Sequence, residues 1–104
     1  MIDHGKQRRE SMRWNMLSTL NKNRPYTLHE ARLGEIVQAL YPDASPLEVR
    51  RELDYLADRQ LVEITKEPSG SWFADLTRHG IDLAEYTVDC EPGVARPPKY
   101  WVQD

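Results

Sequence analysis

Cysteine and long apolar segments are scarce in this chain of 104 residues. Cys90 is the single cysteine, which excludes an intrachain disulfide and a multi-thiolate zinc cluster and favours a reducing, cytoplasmic location. No apolar run approaches the ~18 residues of a membrane span, and residues 1–9 lack the apolar centre of a secretory signal. We therefore expect one soluble domain and no membrane association.

Basic residues are also in deficit, with a net charge of -3 that gives no bulk attraction for nucleic acid. The charge is unevenly distributed, because residues 1–24 contain six basic and two acidic residues. This segment therefore sums to +4 and leaves -7 for the remaining 80 residues. Any anion-binding surface must be local.

Metal-binding and catalytic motifs are missing as well. The potential ligands lack any paired metal-site spacing: His4, His29, His79 and Cys90. A thiolate pair of Cys90 with His79 would need a third, orienting group that the sequence does not indicate, and a lone cysteine is more often a small buried residue. Residues 68–71 read as a hairpin turn without the lysine of a phosphate-binding loop. We expect no enzyme, no metal and no cofactor.

Two segments in the first half of the chain have helical periodicity. Apolar residues recur at helical spacing over residues 11–22, and Pro25 follows. Thr27 and Glu30 form a capping-box pattern at the start of a second helix, in which Gly34 is unfavourable. The apolar stripe of that helix is Leu33, Ile36, Val37 and Leu40.

A third helix has the clearest signature. Ser45 predicts the N-cap, Pro46 the first turn and Glu48 the other half of a capping box. Its buried face is predicted to be Val49, Leu53 and Leu56. About four residues separate it from the second helix, which is the short connection of a helix-turn-helix pair.

The pattern then changes from helix to strand. Residues 61–66 and 72–76 predict a β-hairpin around the turn at residues 68–71. Thr77 is a candidate N-cap of a short fourth helix that Gly80 weakens. Residues 87–104 are expected to be extended because they contain two proline clusters.

This order of elements resembles the winged helix-turn-helix family. Residues 45–56 followed by 61–64 are similar to the recognition-helix-to-wing passage of ArsR-, MarR- and PadR-like regulators, and the resemblance covers residues 11–86. It implies a mainly α fold with a three-helix core and a small β-hairpin wing, in which the third helix lies in the DNA major groove and the wing touches the backbone. Residues 90–101 resemble small proteins of Mu-like prophages that are labelled winged-helix regulators. We accordingly divide the chain into a basic N-terminal arm (1–10), a winged-helix domain (11–86) and an extended tail (87–104).

The charges of the third helix leave its role open. At 100° per residue its outward positions are Leu47, Arg51, Asp54, Tyr55 and Asp58, with Arg50 and Glu48 on the flanks. Residues 45–60 contain three arginines and four acidic residues. Arg50 and Arg51 are either DNA contacts or surface partners of neighbours on the helix, Asp54 for Arg50 and Glu52 or Tyr55 for Arg51.

Three further groups could contribute to binding. Lys6, Arg8 and Arg9 form a phosphate-binding arm, the exposed start of the first helix, or a frayed terminus. Lys66 is the single base of the wing. Tyr100 and Trp101 supply apolar area that either docks on the chain's own helices or forms an interface with a second copy or a phage protein. Trp14 and Trp72 are predicted to pack in the core or on the hairpin.

Two functions from different classes follow. The family resemblance favours a dimeric DNA-binding transcriptional regulator of phage or prophage origin, whose DNA contacts are Arg50, Arg51, Lys66, Lys6, Arg8 and Arg9. The charge count favours a winged-helix protein-protein interaction module that does not bind DNA.

Overall fold

The structure, a computed structural model, describes residues 3–99 as four helices and three short strands. In chain order these are α1 (His4–Lys22), β1 (Leu28–His29), α2 (Glu30–Leu40), α3 (Pro46–Asp58), β2 (Val62–Lys66), β3 (Trp72–Leu76) and α4 (Arg78–Ala84). The three predicted helices, the hairpin and the short fourth helix are confirmed. Within the described range, no helix combines the length and the apolar composition that crossing a bilayer requires.

The first helix begins seven residues earlier than its apolar pattern predicts. The Asp3 carboxylate accepts a hydrogen bond from the backbone amide of Lys6 at 3.0 Å and caps the helix. Residues 4–10 are mostly exposed, so they have no apolar stripe from which a helix could be predicted. The basic residues at positions 6, 8 and 9 therefore lie on the exposed start of α1 instead of a separate arm.

The predicted capping box of the second helix is wrong. The His29 Nδ1 atom accepts the hydrogen bond from the backbone amide of Ala31 at 3.0 Å and caps α2. Thr27 instead donates its hydroxyl to the Asp75 carboxylate at 2.8 Å. The reason is the unpredicted strand β1, which pairs with β3 and keeps residues 28–29 extended, so the helix starts later.

The third helix begins where it is predicted to begin, but the Glu48 half of the predicted capping box is wrong, because the Glu48 carboxylate binds Arg8 of α1. Ser45 Oγ accepts a hydrogen bond from the Glu48 amide at 3.1 Å, and Pro46 occupies the first turn. Because Pro46 has no amide hydrogen, it fits a helix start where that donor would lack a partner. The cap and the proline together determine the residue at which α3 begins.

The three strands form an antiparallel sheet in the order β1-β3-β2. Val62 pairs with Leu76 at one end of the hairpin and Lys66 pairs with Trp72 at the other. Gly70 in the connecting turn has a φ of 94°, a conformation that glycine adopts without a steric penalty. The hairpin forms the wing of the fold, with this turn at its tip.

The core lies between the helices and one side of the sheet. Its largest fully buried side chains are Met12, Met16, Leu17, Leu33, Leu53, Leu56, Leu61, Leu83 and Val37. Trp14 and Trp72 pack against this core, as predicted. The tail contributes Val94, which is 7% exposed, and the Ala95 amide donates to the Glu10 carbonyl of α1 at 3.1 Å. Part of the extended tail therefore belongs to the packed unit.

Candidate nucleic-acid interface

The third helix presents a different surface on each side. Its core face contains the predicted residues Val49, Leu53 and Leu56, all buried. The exposed residues on the opposite face are Leu47, Arg51, Asp54 and Asp58. This face has one cation in its N-terminal half and two carboxylates in its C-terminal half, so only the N-terminal half suits a polyanion.

Tyr55 does not point outward, contrary to its predicted position. It is half-buried beneath Arg13, whose Cζ lies 3.5 Å from the ring centroid, and Arg59, whose Cζ lies 4.7 Å from it. The tail covers it as well, since a Cβ built on Gly93 would stand 2.0 Å from the tyrosine hydroxyl. A helical wheel places Tyr55 near the edge of the outward face, and the packing of α1 and the tail against that edge covers it.

The flank of α3 that faces α1 is held by ion pairs between elements. Arg13 Nε lies 2.5 Å from Glu52 Oε1, and Glu52 is 4% exposed. Arg8 binds Glu48, and its second nitrogen lies 2.9 Å from the Asp43 carboxylate. The hydrogen bond to Glu48 is the main reason why the pKa of Arg8 is raised. Glu52 is thus the partner of Arg13 and not of Arg51, which corrects the expected pairing within the helix.

Arg50 lies on the opposite flank and binds α2 and the wing. Its Nε and Nη2 atoms each donate to the Glu30 carboxylate at 2.6 Å, and Nη2 also donates to the Gly70 carbonyl at 2.7 Å. The guanidinium carbon lies 4.4 Å from the centroid of the Trp72 ring. Glu30, not Asp54, is therefore the salt-bridge partner of Arg50.

This pairing also sets the ionisation of both groups. Hydrogen bonds from Arg50 lower the pKa of Glu30, with the Trp72 amide adding to the effect, and the bond to Glu30 raises the pKa of Arg50. The pair is therefore ionised at neutral pH. Because the folded carboxyl has the lower pKa, its stabilising contribution is present above the ordinary glutamate range and is lost as the pH falls through the lower folded value.

Arg9 and Arg51 meet in a cleft between the first turns of α1 and the N-terminal half of α3. The cleft has a volume of 340 Å³, and Gly5, Leu47 and the Arg8–Glu48 pair also line it. Both arginine side chains are exposed, and within residues 3–99 neither makes a hydrogen bond or an ion pair. The fold thus gathers two free guanidinium groups that the sequence separates by 42 positions.

A second cleft continues this surface toward the tail. It has a volume of 400 Å³, and Lys6, Arg9 and Arg59 supply its exposed basic groups. Arg59 Nη1 lies 4.0 Å from Glu91 Oε1, so one of these groups is partly balanced. Because Arg9 lines both clefts, the basic residues form a continuous surface, which we call the α1–α3 basic surface: Lys6, Arg9, Arg51 and Arg59.

The wing adds one base at some distance along the chain. The Lys66 ammonium lies 4.4 Å from the centroid of the Trp72 ring, and Glu63 and Glu67 are exposed on the same hairpin. The hairpin therefore has one basic residue against three acidic ones, the third being Asp75, and its net charge is negative. A contact with a phosphate would depend on where the hairpin holds Lys66.

The predicted site residues thus separate into groups. Lys6, Arg9 and Arg51 are brought together, Lys66 lies on the wing, and Arg8 and Arg50 already bind carboxylates. Tyr100 and Trp101, the predicted interface residues, lie outside the described residues. The sequence reasoning missed Arg59 as a member of the surface, although its spacing of four residues from Tyr55 placed it on the same flank.

The cysteine does not form the thiolate pair that the sequence left open. The Cys90 thiol donates to the carbonyl groups of Glu91 at 3.5 Å and Val94 at 3.4 Å, while His79 lies 3.9 Å from the Glu91 carboxylate. Among residues 3–99, no three histidine, cysteine or acidic side chains cluster in a way that would hold a metal ion.

The sequence matches no family model and no curated protein. Among solved structures, the chain is similar to MepR, a transcription regulator of the Staphylococcus aureus multidrug efflux pump MepA. The two share 18% sequence identity with a TM-score of 0.62, and the match covers 78% of this chain and 63% of that chain. The likeness shows the fold: four helices and a small antiparallel sheet arranged as a winged helix-turn-helix.

Proposed function

We propose that this protein is a non-enzymatic, winged-helix transcriptional regulator that binds duplex DNA with the N-terminal half of α3 and the first turns of α1. The observation that carries the proposal is the cleft that Arg9 and Arg51 line together, with both guanidinium groups exposed and unpaired within residues 3–99. A local pair of free guanidinium groups is what an acidic protein needs in order to bind a polyanion at one place.

The roles of the residues follow from their positions. Arg51 lies on the outward face of α3, one turn after Leu47, and its fork can donate to the O6 and N7 atoms of guanine in the major groove. Lys6 and Arg9 lie beside it on α1 and suit contacts with phosphates. Lys66 would reach the neighbouring backbone from the wing. The proposal rests on these four side chains more than on Arg8 and Arg50, which bind carboxylates.

The acidic half of α3 restricts how DNA can be approached. Asp54 and Asp58 are exposed two and three turns along the helix, so deep insertion of the whole helix would bring carboxylates close to phosphates. Entry by the N-terminal end places Arg51 at the bases and keeps both carboxylates away from the groove. This is also the end of a recognition helix that contacts base edges in known helix-turn-helix proteins.

A salt-dependent titration tests the proposal. Fluorescence anisotropy with a random-sequence duplex, followed by a duplex selected from a library, would be measured for the wild type, Arg9→Ala and Arg51→Ala. We expect Arg51→Ala to lower the affinity for the selected duplex about tenfold. We expect Arg9→Ala to weaken binding to both duplexes and to reduce the salt slope by about 0.9.

Arg78→Ala is the matched control, because it removes the same charge from an exposed residue of α4 that lines neither cleft. Its effect on affinity should be much smaller than that of either test variant. Absence of binding at low salt, or equal losses in the test variants and the control, would reject the proposed surface.

A protein-protein interaction module is the second candidate, and the exposed Asp54 and Asp58 favour it because they offer a basic protein a binding face. The same titration separates the two functions. A chain that does not bind DNA at low salt but is retained by a basic partner through these aspartates would be an interaction module.

The biological setting of the proposal is a cytoplasmic, dimeric regulator encoded by a prophage. The prophage setting rests on the resemblance of residues 90–101 to proteins of Mu-like prophages, and the dimer rests on the aromatic pair Tyr100 and Trp101 as an interface. Phage genes beside the coding sequence would support the former. Sedimentation equilibrium of the full chain and of Tyr100→Ala/Trp101→Ala tests the latter.

A further inference from the structure

We propose that Arg50 and Glu30 form a clamp that positions the wing relative to α3, so that Arg50 acts on DNA through the wing and not by contacting DNA itself. The effect on DNA rests on the proposed function, whereas the clamp can be tested without DNA. Arg50 would then be a positioning residue, in contrast to its predicted role as a DNA contact.

The contacts of the wing tip support the clamp. Within residues 3–99, the hydrogen bonds from residues 66–72 to the helices all involve Arg50 or Glu30. The Gly70 carbonyl accepts from Arg50 Nη2 at 2.7 Å, and the Trp72 amide donates to Glu30 Oε2 at 2.8 Å. The pair therefore binds the hairpin on both sides of Ser71.

The rest of the hairpin does not supply this connection. The turn closes on itself through bonds from the Glu67 amide to the Ser71 carbonyl and from the Gly70 amide to the Glu67 carbonyl. The short strand β1 pairs with β3 at Phe73 and Ala74, so its backbone pairing stops before residues 66–72. Beside the apolar packing of Trp72, the clamp therefore fixes the direction of the tip relative to α3, since internal hairpin bonds do not.

The clamp also leaves Arg50 with little capacity for DNA. Two of its three nitrogens donate within the protein, its charge faces the carboxylate of Glu30, and its guanidinium carbon lies 4.4 Å from the Trp72 ring centroid. The ammonium of Lys66 lies at the same distance from that ring. The clamp thus sets the position of the ring against which the single base of the wing rests.

Amide hydrogen exchange tests the clamp without DNA. Glu30→Gln keeps the size of the side chain and removes its charge. Arg50→Lys keeps the charge and removes the planar guanidinium group with its paired donors. In both variants we expect the Trp72 amide to exchange about tenfold faster than in the wild type, because Glu30→Gln weakens the acceptor of this amide and Arg50→Lys loses the paired bonds that hold the Glu30 carboxylate in place. Glu63→Gln, on the same hairpin, is the control and should leave this rate unchanged.

Exchange at the core amides of α1 shows whether each variant remains folded. If Arg50→Lys does not fold, Glu30→Gln still decides the question. An unchanged Trp72 exchange rate in a folded Glu30→Gln protein would overturn the clamp.

DNA binding separates positioning from direct contact by the sign of the effect. Glu30→Gln removes a negative charge and frees Arg50, so a direct contact predicts tighter binding than in the wild type. The clamp predicts weaker binding, by about threefold to tenfold, because the Lys66 contact is misplaced. Glu63→Gln removes the same charge without touching the clamp and should bind slightly more tightly.

Arg50→Lys gives a second distinction. A direct phosphate contact would be largely preserved by lysine, whereas the clamp predicts that Arg50→Lys binds as weakly as Arg50→Ala. The losses from Arg50→Lys and Lys66→Ala should not add, since both remove the same wing contact. Tighter binding by Glu30→Gln would overturn the positioning role. Failure of the wild type to bind DNA would reject the proposed function, and the exchange experiment would still decide the clamp.

Discussion

Arg13 lies where α1, α3 and the tail meet, and its guanidinium binds a different group in each direction. It pairs with the buried Glu52, donates to the Gly93 carbonyl at 2.9 Å and covers the ring of Tyr55. A buried carboxylate is tolerated when its charge is matched and becomes costly when the partner is removed. The stability of α3 at Glu52 therefore depends on the position of Arg13 in α1.

We predict that Arg13→Met lowers the free energy of unfolding by about 3 kcal/mol, because it leaves Glu52 buried without a counter-charge. Adding Glu52→Leu should recover most of the loss, since an apolar pair can occupy the same space. Urea denaturation monitored by circular dichroism measures both effects.

Arg51→Met is the control, because that arginine is exposed and unpaired within the described residues, and its effect should stay within about 0.5 kcal/mol. Equal stabilities of Arg13→Met and Arg51→Met would contradict the prediction.

At the scale of elements, two helical glycines that look alike in the sequence have opposite surroundings. Both Gly34 in α2 and Gly80 in α4 are expected to weaken their helices. A Cβ on Gly34 would meet nothing within 4 Å, whereas a Cβ on Gly80 would lie 2.0 Å from the carbonyl oxygen of Leu61. Gly80 is thus the residue that lets α4 pack closely on the chain just before β2.

We predict opposite signs for the two alanine substitutions. Gly34→Ala should raise the free energy of unfolding by about 0.5–1 kcal/mol, because alanine restricts the unfolded chain and favours the helix. Gly80→Ala should lower it by about 2 kcal/mol or more, because the backbone carbonyl of Leu61 must move away.

Each variant serves as the other's control, since the chemical change is identical. In thermal and urea unfolding, the stability of the wild type should therefore lie between those of the two variants. Stabilisation by both substitutions would show that α4 does not pack on Leu61 as closely as described.

At the scale of the whole molecule, folding divides the basic N-terminal segment into two parts. Arg8 and Arg13 neutralise carboxylates on the flank of α3, while Lys6 and Arg9 remain exposed and join Arg51. The net positive charge that this segment presents to solvent is therefore smaller than its formal charge of +4. Any DNA-binding surface is correspondingly narrow.

The tail completes this molecule-wide arrangement by joining helices that are distant in sequence. Val94 is buried in the core, Ala95 binds Glu10 of α1, and Arg96 Nη1 donates to the Leu83 carbonyl at 2.9 Å. The tail thereby holds α1 against α4 and covers the flank of α3.

We predict that Val94→Ala lowers the free energy of unfolding by about 2 kcal/mol, since it removes buried methyl groups and leaves a cavity. Val88→Ala is the matched control, because Val88 is a tail valine with 36% of its surface exposed and should change stability by less than about 0.5 kcal/mol. Differential scanning calorimetry distinguishes the two. Equal melting temperatures would mean that the tail does not contribute to the core.

Much of the fold could be predicted because its signals are local. The apolar repeats, the Ser45–Pro46 start of α3 and the turn around Gly70 depend on neighbours within a few positions. The start of α1 could not be found this way, since residues 4–10 have no apolar face. Strand β1 was missed because two residues are too short for a periodic pattern and are ordered by pairing with β3.

The candidate site was predictable only as a set of basic residues. The sequence determined which side chains are available, that α3 carries Arg50 and Arg51 on adjacent positions, and that the total charge is acidic. The tertiary structure decided that Arg50 binds Glu30 and the wing, that Arg8 binds Glu48, and that Arg51 is left to share a cleft with Arg9. The physical reason is that charge pairing depends on distances between elements, and those distances are set by packing of the core, which no local periodicity describes.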